Sequence, residues 1–501
     1  MRSVFAFFIA FILFSNAKAQ NEGDSIFYSD QIHEIQINFN QVSYWDSLVS
    51  YFATDKYMQA DIVFDGNLIS AAGVKFKGNS SYNNQSRKKS FKIDLNEFVA
   101  GQELNGLKKF NLNNGFKDPS FLREKIACDF YNEHGLNAPR CTFSKVYLNG
   151  IYWGLYNFIE EADTKQYLNA HFSYHDGNMF KGDPNGDLRY ISNQASSYYP
   201  KYELHTNETI NDWSDLVELI TKINNSGGAF QDSIESIMNT ETFIEQWCAL
   251  NLFVNLDSYL GSGHNYFIYH DTNLDKFEWI GWDLNESFGS FRMNLSVNAL
   301  KNLSLFFVPS PANSRPLINN MVVDNFYKQQ LINKACQWLQ YDFSNAALDA
   351  KIDSIANRIR PHVYADTNKF YTNQNFDDNL SMDVTVNGGA VLFGLKSFIQ
   401  ERRNAVISEI SSLGCITGIT QNENKSEQFH VFPNPAKGFF SITGLESSIK
   451  YEIELYSSSG QKILHRNDFT GNDVIDCSEY SAGKYFILIN NKSLSKISII
   501  D

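Results

Sequence analysis

The feature that most constrains this chain is a change of pattern near residue 417. Before it, KSFIQERRNAVISEISSL (396–413) places Phe398, Val406, Ile407 and Ile410 at helical spacing and stops at Gly414. After it, TGITQNENKSEQ (417–428) is polar and nearly free of apolar residues, the composition of a solvated linker. The remainder, 429–501, consists of short alternating runs such as FFSITG, YEIELYS, KILHR, KYFILIN and KISIID. Turn signals at Ser459-Gly460 and Ala482-Gly483 separate them. The pattern predicts a large part over 20–416 and a small all-β sandwich over 429–501.

At 501 residues, 43% hydrophobic and 15% aromatic, the chain has ample apolar surface for a large core. Its first residues, MRSVFAFFIAFILFSNAKAQ, carry one Arg, an apolar run from Val4 to Phe14 and small residues at Ala17 and Ala19. That is the form of a cleaved secretory signal over 1–19. No later stretch is long and apolar enough to span a bilayer, so the expected product is exported through the periplasm and is secreted or held at the cell surface. The six cysteines have no CxxC or zinc-like spacing, which predicts core filling with room for one bridge. A formal charge of −14 argues against a nucleic-acid partner. Against that background the basic cluster Arg87-Lys88-Lys89 with Lys92 stands out.

The large part alternates strands and helices. HEIQINFN, MQADIVFDG, AAGVKFKG and FKIDLN predict strands with turns at Asp65-Gly66 and Gly78-Asn79. A helix is expected to open at Asp118-Pro119-Ser120 and to run through FLREKIACDFYNEHG. Two strands follow in TFSKVYLNGIYWGLYNFIEEA, joined by a type I′ signal at Asn149-Gly150. Sheet, helix and further sheet make the fold class α+β.

The second half turns helical in WSDLVELITKINN and TETFIEQWCALNLFVNLDSYL, then gives two short strands in GSGHNYFIYHD and KFEWIGWDL. Asp257 is expected to end a helix, and Asp283 to end the second strand inside the apolar stretch WIGWDLNESFGS. A hairpin between residues 265 and 283 brings its two ends side by side, so Asp257, Asn265 and Asp283 converge. Carboxylates and an amide suit a hard divalent cation, and phosphoryl transfer adds a carboxylate for the attacking hydroxyl and a Lys for the phosphates.

The C-terminal part resembles the sorting domain of the type IX secretion system of Bacteroidetes-type bacteria, on VFPNPAKGFFSI, YSSSGQKI and YSAGKYFILI. The resemblance implies an export address read by that secretion machinery. The large part resembles the CotH kinase family through ordered blocks: AAGVKFKGNSS, RKKSFKIDLN, NNGFKDPSFLREKIACDFYNEHGLNAPR, VYLNGIYWGLYNFIEEAD, MFKGD, DSYLGSGHNYFIYHD and WIGWDLNESFG. This implies an atypical protein-kinase-like domain over 20–416 that uses ATP with Mg²⁺ or Mn²⁺ and phosphorylates a protein acceptor.

By that resemblance Asp257 corresponds to the catalytic Asp, Asp283 to the metal-binding Asp and Asn265 to a second metal ligand. The phosphate-binding Lys is expected among Lys89, Lys88 and Lys92, with Lys89 favoured, and Glu160 or Glu161 is its expected partner. Where the family commonly reads WDLD this chain has Asn285, which keeps an oxygen ligand without the charge. KGNSS (77–81) is a small-residue turn suited to lie over phosphates, and His264 and Arg123 read as structural. Two other classes fit parts of the pattern: a catalytically silent binding or surface-assembly protein, and a glycan-active enzyme built on paired carboxylates.

Overall fold

The computed structural model describes residues 21–386, 388–415 and, in the C-terminal part, 430–499 without 444, 446, 458–460, 472, 482, 491 and 492. The expected signal segment 1–19 and linker 417–428 lie outside the described residues. The chain forms two compact units divided between residues 416 and 417.

The first unit opens with a closed barrel of β1 (His33–Asn38), β2 (Met58–Phe64), β3 (Asn67–Lys77), β4 (Ser90–Asp94), β5 (Lys109–Asn113), β6 (Cys141–Leu148) and β7 (Ile151–Glu160). Their order around the barrel is β1-β2-β3-β4-β5-β7-β6. The parallel pairing of β1 with β6, Ile35 opposite Val146, closes it. Strand alternation sorts the two faces. Ile35, Ile37, Phe76, Phe91, Ile93, Phe110 and Phe158 pack into one cluster, and the intervening positions point outward. The β6–β7 hairpin turns at Asn149 and Gly150, with φ of 46° and 78°, as a type I′ turn demands.

A second sheet, in the order β11-β10-β8-β9, comprises β8 (Met179–Gly182), β9 (Tyr202–Leu204), β10 (Tyr266–Asp271) and β11 (Lys276–Gly281). Around it lie helices Ser214–Asn225, Thr240–Leu252, Asn325–Gln340, Asn345–Ala365 and Leu395–Ile410. They share a core with Trp247, Phe253, Trp279, Phe288 and Trp338. Cys336 and Cys415 form a disulfide, and the cysteines at 128, 141, 248 and 477 are free and buried. The unit is α+β.

Two expected boundaries move. The helix expected from Asp118 begins at Arg123, because Asp118 instead accepts the backbone N–H groups of Ser120 at 3.0 Å and Arg123 at 2.9 Å, making a turn ahead of it. The helix expected to reach Asp257 ends at Leu252. There Val254 turns left-handed at φ 48°, and the Asn255 N–H returns to the Leu250 carbonyl at 2.9 Å. Asp257 therefore lies on the connection to β10.

One buried ion pair joins barrel and helices. Lys88, with no solvent exposure, donates to the Asp366 carboxylate and to the Leu155 carbonyl at 2.8 Å. Asp366 also accepts the Leu155 N–H at 3.1 Å. A Cβ on Gly154, at φ 143°, would collide with that carboxylate, so the close approach requires glycine. Burial pulls the Lys88 ammonium down to about 8 against the attraction of Asp366.

The second unit is all β, with strands His430–Lys437, Phe439–Thr443, Tyr451–Ser457, Lys462–Phe469, Val474–Asp476, Gly483–Ile489 and Ser493–Ile499. The expected sandwich is one hydrogen-bonded sequence of strands. His430–Lys437 pairs with Phe439–Thr443 on one side and with Ser493–Ile499 on the other, shifting register between Phe432 and Lys437. Phe440, Ile442, Ile453, Leu455, Ile487 and Ile497 form its core. Among the described residues of both units, no helix is long and apolar enough to cross a membrane.

Lys88→Met strands a buried Asp366 charge and is expected to cost about 3–5 kcal/mol in urea denaturation. Adding Asp366→Asn should restore more than half of that loss, because it removes the unpaired charge while keeping an acceptor for the Leu155 N–H.

Candidate active site

The outward face of β3–β5 forms one wall of a cleft of about 730 Å³. Register sets that wall: Lys75 lies opposite Lys92, and Lys92 opposite Asn111. The facing wall carries Lys181 and Asp183 from the end of β8, Asp257, His264 and Asn265 from the connection into β10, and Trp282, Asp283, Asn285 and Glu286 from the segment after β11. The hairpin brings the last two groups together, with Tyr266 opposite Gly281 and the Trp282 N–H on the Asn265 carbonyl at 3.3 Å.

Of the expected lysines, Lys92 faces the cleft. Its Nζ lies 2.8 Å from Glu161 and 2.7 Å from Asp163, while Asn111 Nδ2 donates to Glu161 at 2.9 Å. Burial opposes the Lys92 charge, but the two carboxylates outweigh it and raise its pKa. Burial likewise opposes the Glu161 charge, and Lys92 with Lys77 pulls it down to about 2. Asp163 is raised, chiefly by burial and then by Glu161, because its partner Lys92 is already shared.

Lys89, the favoured residue, turns away: its Nζ donates to the carbonyls of Tyr82 at 2.6 Å and Asn84 at 2.7 Å. Lys88 is committed to Asp366. Face alternation does not relate these residues to Lys92, because both precede β4, which begins at Ser90. Glu160 is not the lysine's partner. It bonds Arg140 Nε and His171 Nε2, each at 3.0 Å.

Asp257 and Asp283 enter the same cleft. His264 Nε2 lies 2.9 Å from Asp257 Oδ1. That hydrogen bond raises the His264 pKa against the opposing effect of burial. Asn265, at φ 60°, donates from Nδ2 to the Asp257 backbone carbonyl at 2.8 Å. Asp283 sits at φ 51°, and burial raises its pKa against the attraction of Lys77. Among the described residues, no three His, Cys, Asp or Glu side chains of the cleft bring ligand atoms within 4.8 Å of one another. The one such group is Glu452, Glu454 and His465 in the C-terminal unit. Asp257, Asn265 and Asp283 share the cleft as two carboxylates and one amide.

Behind Asp283 a smaller cavity of about 50 Å³ is lined by Lys77, Asn113, Glu124, Asn157, Asp283 and Asn285, among others. Glu124 accepts Asn113 Nδ2 on both oxygens at 3.0 Å. Burial, then the Asp283 charge, pushes Glu124 up to about 8. At the cleft mouth Lys117 pairs with Glu286 at 2.6 Å.

Sequence reasoning missed Lys77, Lys181 and Glu124. Lys77 opens the turn KGNSS and Lys181 lies within MFKGD, so a signal was present. Glu124 carried no signal of its own, since an acid in the first turn of a helix is ordinary. Arg123 is buried and structural, donating to Asn379 Oδ1 at 2.8 Å and the Phe393 carbonyl at 2.6 Å.

The family model described as CotH kinase protein matches residues 74–406. The chain belongs to the CotH family. The model for a secretion system C-terminal sorting domain matches residues 430–500, which indicates export by the type IX machinery to the surface or the medium. The CotH part is 27% identical over 301 residues to inner spore coat protein H of Bacillus subtilis (strain 168), covering 58% of this chain and 78% of that protein. It is 22% identical to invasin CotH2 of Rhizopus delemar, covering 60% of this chain and 54% of the relative. For invasin CotH3 of the same fungus the figures are 22%, 64% and 57%. The match thus spans little more than half the length of these fungal CotH proteins.

Glu160→Gln tests whether this carboxylate serves the barrel. Burial opposes its charge, but His171 and Arg140 outweigh burial and hold it at about 2, below its ordinary 4.5. The depressed pKa contributes about 3 kcal/mol that is fully present above roughly pH 5 and is lost as pH falls through 2. The variant should be less stable by that order at pH 7, with the difference shrinking below pH 5 in a denaturation series. An unchanged pH dependence would rule the assignment out.

Proposed function

We propose that the CotH unit is an exported kinase, transferring the γ-phosphoryl group of ATP to a hydroxyl of a protein acceptor with a divalent cation. The observation that carries this reading is the Lys92–Glu161 ion pair on the barrel wall, facing Asp257 and Asp283 across one cleft. A kinase needs a lysine fixed by a glutamate against the phosphates, an aspartate at the acceptor hydroxyl and a second aspartate for the cation. The cleft volume suits a nucleotide, and Trp282 and Phe267 supply apolar lining.

In this reading Lys92 and Lys77 hold phosphate oxygens, and the turn at Gly78 lies beside them. Asp257, oriented by His264 through Oδ1, accepts the proton of the acceptor hydroxyl. The hydroxyl oxygen forms the new bond to γ-phosphorus as the bond to the β–γ bridging oxygen breaks, and ADP leaves. Asp283, Asn265 and Asn285 supply the oxygen-rich donor set that Mg²⁺ or Mn²⁺ prefers. Such a cation, when bound, neutralises phosphate charge.

Asn285 favours a second reading, a catalytically silent nucleotide-binding protein, since it removes a charge where the family commonly has an aspartate. A glycan-active enzyme leaves the Lys92–Glu161 pair without a role.

The test uses the exported chain with γ-labelled ATP and Mg²⁺ or Mn²⁺, beside Lys92→Ala, Asp257→Ala and Asp283→Ala. Label should reach the protein itself or a generic acceptor, and each variant should lose about 100-fold or more. Equal labelling by the variants would refute the assignment. A nucleotide-dependent melting shift without label would favour the silent protein.

A further inference from the structure

The small cavity behind Asp283 contains more acceptor oxygen than the protein satisfies. Glu124 is 4% exposed and Asn157 3%. Asn157 Nδ2 donates to the Phe121 carbonyl at 3.2 Å, while its Oδ1 is buried without a hydrogen-bond partner. An unpaired buried amide oxygen costs free energy unless something occupies its lone pairs. Asp118, which also lines the cavity, is already committed: it accepts from Ser120 and from the Arg123 N–H. Lys77 is the basic side chain of the lining, and it faces two carboxylates, Glu124 and Asp283.

We propose that Glu124 and Asp283 jointly hold a hard divalent cation of the Mg²⁺ or Mn²⁺ class in this cavity, with Asn157 Oδ1 as a further protein oxygen. The inference rests on the reading of Asp283 as a cation ligand and adds two residues that reading does not include. Two carboxylates and an amide oxygen are the donors such ions take, with water completing the shell. A space of about 50 Å³ fits an ion with one or two waters, each of which occupies about 30 Å³ in the liquid. The chain supplies the donors from rigid elements. Glu124 stands in the first turn of helix Arg123–Glu133, Asn157 lies on β7 opposite Asn113 of β5, and Asp283 follows β11. The same lining residues Lys77, Gly78, Ser81, Asp283 and Asn285 border the nucleotide-sized cleft, so a cation held here sits at its inner edge.

Mn²⁺ binding to the whole chain by calorimetry, without nucleotide, tests the proposal beside thermal melting in a chelator. Wild type should bind Mn²⁺ and melt higher with it. Glu124→Gln should bind at least tenfold more weakly, and Asn157→Ala severalfold. In the chelator Glu124→Gln should melt at or above wild type, because it replaces a buried titratable carboxyl beside Asp283 with a neutral amide while keeping an acceptor for Asn113. Unchanged Mn²⁺ affinity in Glu124→Gln, or no binding by wild type, overturns the proposal. Binding lost in Glu124→Gln supports the cation site even where wild type transfers no phosphoryl group, an outcome that would count against the kinase reading alone. Transfer by wild type together with Mn²⁺ binding indifferent to Glu124 would sink the site and leave the kinase.

Discussion

The joining of the barrel to the helical part rests on the buried contact of Lys88 with Asp366. Its partners lie 278 residues apart, one entering the barrel strand β4 and the other capping the long helix Asn345–Ala365. The same carboxylate takes the Leu155 N–H from β7, so two barrel strands and the helical part meet at one charge. Such a pair has little net worth beside an apolar substitute, yet breaking it is expensive. Its effect is to tie the barrel, at the entry to β4 and at β7, to the end of the helix Asn345–Ala365. Gly154 belongs to the same junction, since a side chain there would occupy the carboxylate's place.

Charge in the cleft is arranged as partial neutralisation. Lys92 is shared by Glu161 and Asp163, Lys181 lies 2.8 Å from Asp183, and Lys117 pairs with Glu286. The carboxyl groups that depart from this pattern are Glu124 and Asp283, where burial and then their mutual repulsion push Glu124 up, with Lys77 as the basic side chain beside them in the small cavity. A site that paired every charge would be more stable and would offer nothing to a polyanion or a cation. The imbalance is local, and it falls where the proposed chemistry needs a positive ion.

Much of this was legible in the sequence, and the reasons differ by residue. Alternation in HEIQINFN and the Asn149-Gly150 turn predicted β1 and the β6–β7 hairpin because both signals are local. The meeting of Asn265 with Asp283 followed from a short hairpin of defined register. Closure of the barrel did not follow, since the parallel contact of β1 with β6 joins segments about a hundred residues apart and leaves no local trace. The three lysines could not be told apart for a related reason. Lys88, Lys89 and Lys92 look equivalent in RKKSFKI, and only the position of Asp366 and the start of β4 at Ser90 separate them. Glu124 was hidden because an acid in a first helical turn is ordinary there. Its meaning comes from Asp283 and Asn157, which are distant in sequence.

The backbone around the site carries a cost that the helical core has to support. Val254, Asn265, Asp283 and Phe288 all adopt left-handed φ, from 48° to 62°. Asn and Asp enter that region readily, but a β-branched Val and a bulky Phe do so at roughly 1–2 kcal/mol each. Phe288 is held by packing against Phe253 and Phe398 and by its N–H on the Phe253 carbonyl at 2.6 Å. Val254 is buried in the same core. These two residues bend the chain immediately before the Asp257 connection and immediately after the Asp283 turn. The apolar stretch WIGWDLNESFGS therefore contains an aspartate because the surrounding aromatics hold a strained turn, and that turn aims the carboxylate into the cleft.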